Sequence, residues 1–145
     1  MSYTYNPDMM GGSLFCELPC GQILTYPSCR LEQVDGHHGP QYTITALKAN
    51  WKPAADAKEW PRYALWRGLL AENVTQAACA SLTRWLVRQF NNVVLHCHDE
   101  VALECSVGQA AEQKQRLQTT METGPAWAKG LPLKAPVAVM ARYGK

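Results

Sequence analysis

Two short apolar runs with a polar tip between them constrain the fold more than any other feature. The runs are residues 93–95 (Val-Val-Leu) and 101–103 (Val-Ala-Leu), and the tip is His98-Asp99-Glu100. Runs this short, bounded by polar residues, are typical of buried β-strands. Because the connection is too short to contain a helix, the two strands are predicted to be antiparallel and to form a hairpin.

The hairpin tip carries two neighbouring carboxylates, Asp99 and Glu100. Neighbouring acids repel each other unless a cation lies between them. Mg²⁺ takes oxygen ligands and is usually held by one or two carboxylates, which leaves coordination positions for substrate phosphates. The tip therefore predicts a magnesium site suited to phosphoryl chemistry.

The rest of the chain predicts an α+β fold with a mostly antiparallel sheet. Apolar residues at helical spacing predict one long helix at residues 67–90, and a second, shorter helix is predicted at 109–121. Residues 1–12 read as a flexible leader, because they contain Pro7 and Gly11-Gly12. Further strands are predicted at residues 14–18, 22–26, 41–47 and 137–142.

Composition excludes several classes of protein. A chain of 145 residues with 47% hydrophobic residues can build the core of one domain. No apolar stretch approaches the ~20 residues that span a bilayer, and no secretory signal is visible at the N-terminus. We therefore expect a cytoplasmic protein without a membrane partner. The formal net charge of +2 does not by itself indicate nucleic acid.

Four motifs occur in an order that resembles a known family. The motifs are residues 18–22 (Leu-Pro-Cys-Gly-Gln), 72–77 (Glu-Asn-Val-Thr-Gln-Ala), 95–101 (Leu-His-Cys-His-Asp-Glu-Val) and 125–133 (Pro-Ala-Trp-Ala-Lys-Gly-Leu-Pro-Leu). Together they resemble the C-terminal part of phage-type family A DNA polymerases, the group related to bacterial DNA polymerase I, and the resemblance covers nearly all of residues 14–145. It implies that residues 13–145 are a palm-subdomain fragment, with a palm-like antiparallel sheet.

The resemblance implies roles for the residues of the hairpin tip. Asp99 would be one of two aspartates that bind the catalytic magnesium ions, Glu100 a supporting acid near the metal, and His98 a contact to the primer end. Two metal ions stabilise both the attacking 3′-oxygen and the leaving pyrophosphate in an in-line displacement.

The resemblance also implies that the long predicted helix binds DNA. Asn73 and Gln76 lie three residues apart and share a helix face. Their amides suit the minor-groove edge of a base pair, which reports pairing geometry with little sequence information. Many relatives space these two residues four apart, so Glu72 is an alternative to Asn73. Arg67 would reach a backbone phosphate.

The resemblance also implies that this sequence holds only half of the two-metal site. The motif with the other aspartate, and the fingers helix that holds the incoming nucleotide, would lie upstream. We therefore expect no polymerisation by this chain alone. The expected partners are primer–template DNA, a deoxynucleoside triphosphate in the complete enzyme, and an upstream polymerase fragment or a second copy, in a bacterial host or phage-infected cell.

Two other functions fit the residues. His96 and His98 alternate on a strand and share a face, so with Asp99, and with His37-His38 closing the site, they could hold zinc in a hydrolase. Alternatively, the chain could be a non-catalytic palm remnant that acts as a docking module through apolar surface left exposed.

Overall fold

The computed structural model of the chain describes residues 1–36, 39–48, 55–56 and 59–144. These residues form antiparallel sheets, one long helix and one shorter helix, so the predicted α+β class is confirmed. The chain divides into two compact units, Met1–Gln76 and Ala77–Lys145. Among the residues described, no helix combines the length and the apolar character that crossing a membrane requires.

The first unit contains two three-stranded antiparallel sheets, with strand orders β1-β2-β3 and β4-β5-β6. The strands predicted at 14–18, 22–26 and 41–47 are present with shifted ends, as β2, β3 and β5. The six strands are β1 (Ser2–Asn6), β2 (Ser13–Glu17), β3 (Ile23–Tyr26), β4 (Arg30–Gly36), β5 (Gly39–Leu47) and β6 (Arg62–Ala64).

One arginine connects much of the first unit. Arg62 on β6 donates hydrogen bonds from Nη2 to the carbonyl oxygens of Ser28 (2.6 Å) and Thr45 (3.1 Å), and from Nε to Thr45 Oγ1 (2.9 Å). Its Nε also lies 3.1 Å from Oε1 of Glu32 on β4. The guanidinium therefore links three strands and the chain segment between β3 and β4, next to the buried residues Cys29 and Ala46.

The long helix α1 (Arg67–Val87) begins where the sequence predicts and ends three residues earlier. After Val87 the chain continues as a tight turn, because the amides of Arg88 and Gln89 donate to carbonyls three residues back, on Trp85 and Leu86. The turn leads directly into the second unit's hairpin.

The second unit is assembled around the side chains of Leu86, Phe90 and Leu117. Its hairpin consists of β7 (Val93–Cys97) and β8 (Glu100–Leu103), and its second helix is α2 (Ala110–Thr123). Val93, Val101 and Leu103 of the hairpin pack against this cluster, and so do Met121 and Val137. The hairpin is thus fixed through its apolar residues while its tip lies outside the core.

The structure differs from the sequence prediction at four places. Strands β1, β4 and β6 were not predicted, and β1 lies within the segment expected to be a flexible leader, where it pairs with β2. The strand predicted at 137–142 is wrong, because these residues have no strand structure and β7–β8 is a two-stranded sheet without them. A strand persists only where a neighbour satisfies its backbone groups.

Candidate functional site

The predicted hairpin is present, and its pairing determines where the acidic residues lie. Cys97 pairs with Glu100 and His96 with Val101, so His98 and Asp99 form a two-residue loop. At the other end, Val93 pairs with Leu103 while Leu95 pairs with Ala102, so two residues of β7 oppose one of β8 around Val94. This is a β-bulge, which bends and twists the strand locally.

The open end of the hairpin is closed by a side chain. The Asn92 amide nitrogen donates to the Glu104 carbonyl oxygen at 2.8 Å, and the Glu104 amide donates to the Asn92 carbonyl at 3.0 Å. These bonds continue the pairing beyond the bulge. Both ends of the hairpin are therefore defined, the inner end by these bonds and the outer end by the loop.

His98 has an uncommon backbone conformation, with φ of 52°. Two-residue hairpin loops require positive φ at their first position, because only then does the turn match the twist of the strands. Non-glycine residues adopt positive φ rarely, although Asn, Asp and His do so more often than the others. The backbone at position 98 is accordingly mildly strained, as is common at functional sites.

The side chains of the predicted catalytic residues are all exposed. His98, Asp99 and Glu100 are accessible at the tip. The Tyr143 hydroxyl donates a hydrogen bond of 3.0 Å to Oε2 of Glu100, which connects the C-terminal segment to the acidic pair. The tyrosine was not singled out in the sequence, because 43 residues separate it from Glu100.

The donor atoms at the tip suit a hard cation but do not form a complete site. Carboxylate oxygens are the ligands that Mg²⁺ prefers. Within residues 1–36, 39–48, 55–56 and 59–144, no group of three or more His, Cys, Asp or Glu side chains lies together in a way that could hold a metal ion. Asp99 and Glu100 can therefore supply only part of a coordination shell.

A groove lies beside the hairpin, against the second half of α1. Its volume is about 530 Å³, and His96 and His98 from the hairpin line it together with Arg84 and Arg88 from the helix end. Neither arginine was singled out as a site residue in the sequence. Their spacing of four residues, which puts them on one helix face, was the sequence signal that could have indicated their shared position. The remaining lining residues are Ala80, Thr83 and Val87.

The lining of this groove is also relevant to the alternative function, a zinc-dependent hydrolase. His96 and His98 do lie together, as strand alternation predicted, but the side chains beside them are the cations Arg84 and Arg88. Like charges repel a metal cation, and the described residues supply no third ligand of the kind zinc needs. His37 and His38, the residues that would close the zinc site, lie outside the described residues.

The predicted DNA-binding residues lie on the first half of α1. Arg67 is exposed at the first helical position. Asn73 is half-buried and its amide nitrogen donates to the Tyr26 hydroxyl at 3.2 Å. Gln76 is exposed, and its amide donates to Oε1 of Glu72 at 2.9 Å. The exposed pair on this face is therefore Glu72 and Gln76, which are spaced by four residues.

Comparison with known proteins gives a relative that covers nearly the whole chain. The chain is 34% identical over 140 residues to a DNA polymerase of Bacillus phage SP02. The chain is related to part of a phage DNA polymerase. The alignment includes 92% of this chain and 20% of the polymerase, so the chain spans about a fifth of that relative's length.

This similarity confirms the resemblance to phage DNA polymerases that the four motifs indicated. No protein-family model matches the chain. No solved structure matches it either.

Proposed function

We propose that the chain is the C-terminal palm portion of a phage-type family A DNA polymerase. The reaction is template-directed transfer of a nucleotide from a deoxynucleoside triphosphate to a primer 3′-hydroxyl. The similarity to the phage SP02 polymerase over 92% of the chain carries the proposal. The exposed acidic loop of the hairpin supports it, because metal ligands must be reachable by substrate.

In this proposal the hairpin tip supplies one half of a two-metal site. Asp99 is a metal ligand, and Glu100 is a supporting acid whose carboxylate is oriented by the Tyr143 hydroxyl. His98, beside them in the loop, contacts the primer end. Mg²⁺ held there would supply charge neutralisation at the attacking and leaving oxygens. The remaining acidic ligands come from polymerase residues outside these 145.

The first half of α1 contacts the primer–template duplex. Arg67 adds a positive charge to a helix N-terminus that is already partly positive, which disfavours the helix by about 0.3–1 kcal/mol. A backbone phosphate bound there offsets that cost. Gln76 contacts the minor groove, and either Asn73, after releasing Tyr26, or the exposed Glu72 fills the neighbouring position.

The partners follow from the reaction. They are primer–template DNA, a deoxynucleoside triphosphate, and the polymerase segment with the other metal ligands, encoded upstream. Such an enzyme works in the cytoplasm of a bacterial host or phage-infected cell. The isolated chain is expected not to extend a primer, because Asp99 and Glu100 alone cannot clamp two metal ions.

Primer extension tests this function directly. The purified chain is assayed alone, with a purified polymerase fragment that contains the other metal-binding aspartate, and grafted into the phage SP02 polymerase in place of the aligned segment. We expect extension only in the complemented reactions. Asp99→Asn should abolish extension while leaving the circular dichroism spectrum and the unfolding midpoint unchanged. Extension by Asp99→Asn at the wild-type rate would contradict the metal-ligand role.

A non-catalytic docking module is the second candidate, and exposed apolar side chains favour it. Leu31 on β4 pairs with Ile44 on β5, and the two are 69% and 45% exposed. Tyr42, two residues from Ile44, is 73% exposed. Exposed apolar patches often mark protein interfaces. The docking function is favoured over the catalytic one if the chain binds another polymerase fragment but no combination of the two extends a primer.

A further inference from the structure

Strand β1 is an outer strand of the first sheet, and among the described residues it has no neighbour on its outer side. The strand order β1-β2-β3 puts it at the edge of the sheet, and all five of its residues are exposed. The backbone N–H and C=O groups along the free side of an edge strand have no partner within the sheet. Such an edge is a template for pairing with a strand of another chain.

The other three outer strands of the first unit have features that discourage such pairing. β4 contains the charged residues Arg30, Glu32 and Asp35. β6 has three residues, and β3 has four, of which the last, Tyr26, is buried and accepts a hydrogen bond from Asn73 on α1. Charged residues, short length and covering by a helix are the usual protections of edge strands. β1, with the sequence Ser-Tyr-Thr-Tyr-Asn, is longer than β3 and β6 and has no charged residue.

The two tyrosines of β1 lie on the face of the sheet that is buried further in. Tyr3 pairs with Cys16 and Tyr5 with Leu14 on β2, and paired residues of antiparallel strands point to the same face. Cys16 is fully buried, whereas Tyr3 and Tyr5 are 41% and 54% exposed. The tyrosines therefore form the outer margin of this face, and a further strand beside β1 would extend it and cover them.

The sequence of β1 is complementary to itself. When two antiparallel copies are related by a two-fold axis at Thr4, this threonine lies opposite Thr4 of the second copy. Tyr3 then lies opposite Tyr5 of the second copy, and Ser2 lies opposite Asn6, so every pair shares a face of the sheet. Aromatic pairs and threonine pairs stabilise antiparallel strands, and this register brings no like charges together.

We infer that the chain forms a two-fold symmetric dimer in which β1 of one copy pairs with β1 of the second copy. The two three-stranded sheets become one continuous sheet with the strand order β3-β2-β1-β1-β2-β3. Pro7, directly after β1, limits the contact to the five residues of the strand. Interfaces below about 1,200 Å² are typically weak, so the dimer is expected at micromolar rather than nanomolar chain concentration. It requires neither a metal ion nor catalytic activity.

Sedimentation velocity of the full chain over a series of concentrations measures this association. The wild-type chain should shift from one copy to two as the concentration rises. Thr4→Lys places two lysines opposite each other at the two-fold axis and should raise the dissociation constant by about tenfold or more. Thr4→Glu should have the same effect with two negative charges. An equimolar mixture of the two variants should associate again, because a lysine then lies opposite a glutamate.

A matched control adds the same charge at the other edge of the same sheet. Thr25 on β3 pairs with Phe15, which pairs with Thr4 from the other side, so the two exposed threonines share a face. Thr25 would lie three strand spacings, about 14 Å, from the second copy. Thr25→Lys should leave the dissociation constant within about twofold, because charges beyond a Debye length are largely screened. Circular dichroism checks that each variant is folded.

The outcomes decide the proposal. It is overturned if the wild-type chain stays a single copy at every concentration, or if the mixture of Thr4→Lys and Thr4→Glu does not associate. It is also overturned if Thr4→Lys associates as strongly as Thr25→Lys, which would move the contact to another surface, such as the exposed pair Leu31 and Ile44.

Two further measurements separate this dimer from other functions of the chain. If the chain alone stays a single copy and Thr4→Lys weakens its binding to a polymerase fragment, β1 accepts a strand of the polymerase instead of a second copy. Asp99→Asn should leave the dissociation constant of the dimer unchanged. Failure of the catalytic function and failure of the dimer are therefore distinguishable.

Discussion

Replacement of Arg62 tests how far one buried cation stabilises the first unit. The Arg62 side chain is 13% exposed and makes three hydrogen bonds, to the Thr45 hydroxyl, the Thr45 carbonyl and the Ser28 carbonyl. Hydrogen bonds to a charged group contribute about 1.5–3 kcal/mol each. The three therefore amount to a gross contribution of roughly 4.5–9 kcal/mol.

Two terms reduce that figure. Arg62 Nη1 is buried without a hydrogen-bond partner in the described structure, which costs about 1–3 kcal/mol. Glu32, with a side chain 38% exposed, adds little because ion pairs open to solvent contribute about 0–1 kcal/mol. We expect Arg62→Met to lower the free energy of unfolding by about 3–5 kcal/mol, because the hydrogen bonds to Thr45 and Ser28 are lost and their acceptors are left without this donor.

Urea unfolding followed by circular dichroism measures this loss. With a denaturant slope of about 2 kcal/mol per molar, the midpoint should fall by about 2 M. Glu32→Gln is the matched control and should shift the free energy by less than about 1 kcal/mol. If Arg62→Met costs no more than Glu32→Gln, the hydrogen bonds to Thr45 and Ser28 contribute nothing and the reasoning is refuted.

Three further predictions concern the site and the thiols. Gln76→Ala should weaken duplex binding by the complemented enzyme several-fold with little sequence bias, measured on duplexes of different sequence; an effect at one base pair only would argue against minor-groove contact. Tyr143→Phe removes the hydrogen bond to Glu100 and should raise the Mg²⁺ concentration for half-maximal extension by about 2–5-fold, in line with ~1 kcal/mol; an unchanged Mg²⁺ titration would exclude a positioning role. Burial raises the pKa of the Cys29 thiol. At a given pH, a smaller fraction of this cysteine is therefore present as the reactive thiolate. Iodoacetamide at pH 8 should label exposed Cys97 well before Cys29, and equal labelling by mass spectrometry would contradict the buried environment.

The parts of the fold with a clear apolar pattern were predictable. The long helix follows from apolar residues at helical spacing, and Leu86 in this stripe is buried in the core cluster. The hairpin follows from two apolar runs and a short connection. Val93, Val101 and Leu103 of these runs pack against the core cluster, whereas Val94 and Leu95 are exposed.

Strand β4 shows why other elements were missed. Along Arg30–Gly36 the one described side chain that is not exposed is Glu32, which contacts Arg62, while Leu31 faces solvent. A prediction that places apolar residues inside and polar residues outside is wrong for a strand whose least exposed side chain is a charged residue in an ion pair. Residues 137–142 show the converse, since an apolar run does not form a strand without a neighbour to pair with.

The site was partly predictable for a related reason. The acidic tip depends on local sequence, and its exposure follows from the two-residue loop. The groove depends on which face of the hairpin lies against α1, and Arg84 and His96 are brought together by packing of Leu86, Phe90 and Val93 rather than by local sequence. Contacts of that kind cannot be derived from residue spacing.

The bulge at Val94 has a consequence for how this sequence can change in length. Pairing from Leu95 to Ala102 is set by the loop, and pairing at Val93 is set from the other end. Deleting Val94 would remove the bulge and leave Val93–Leu103 and Leu95–Ala102 as successive pairs of a regular ladder, so His96 would stay opposite Val101 on the same face of the ribbon. Natural variants should therefore accept both substitution and loss of the residue at position 94, where the side chain is 60% exposed.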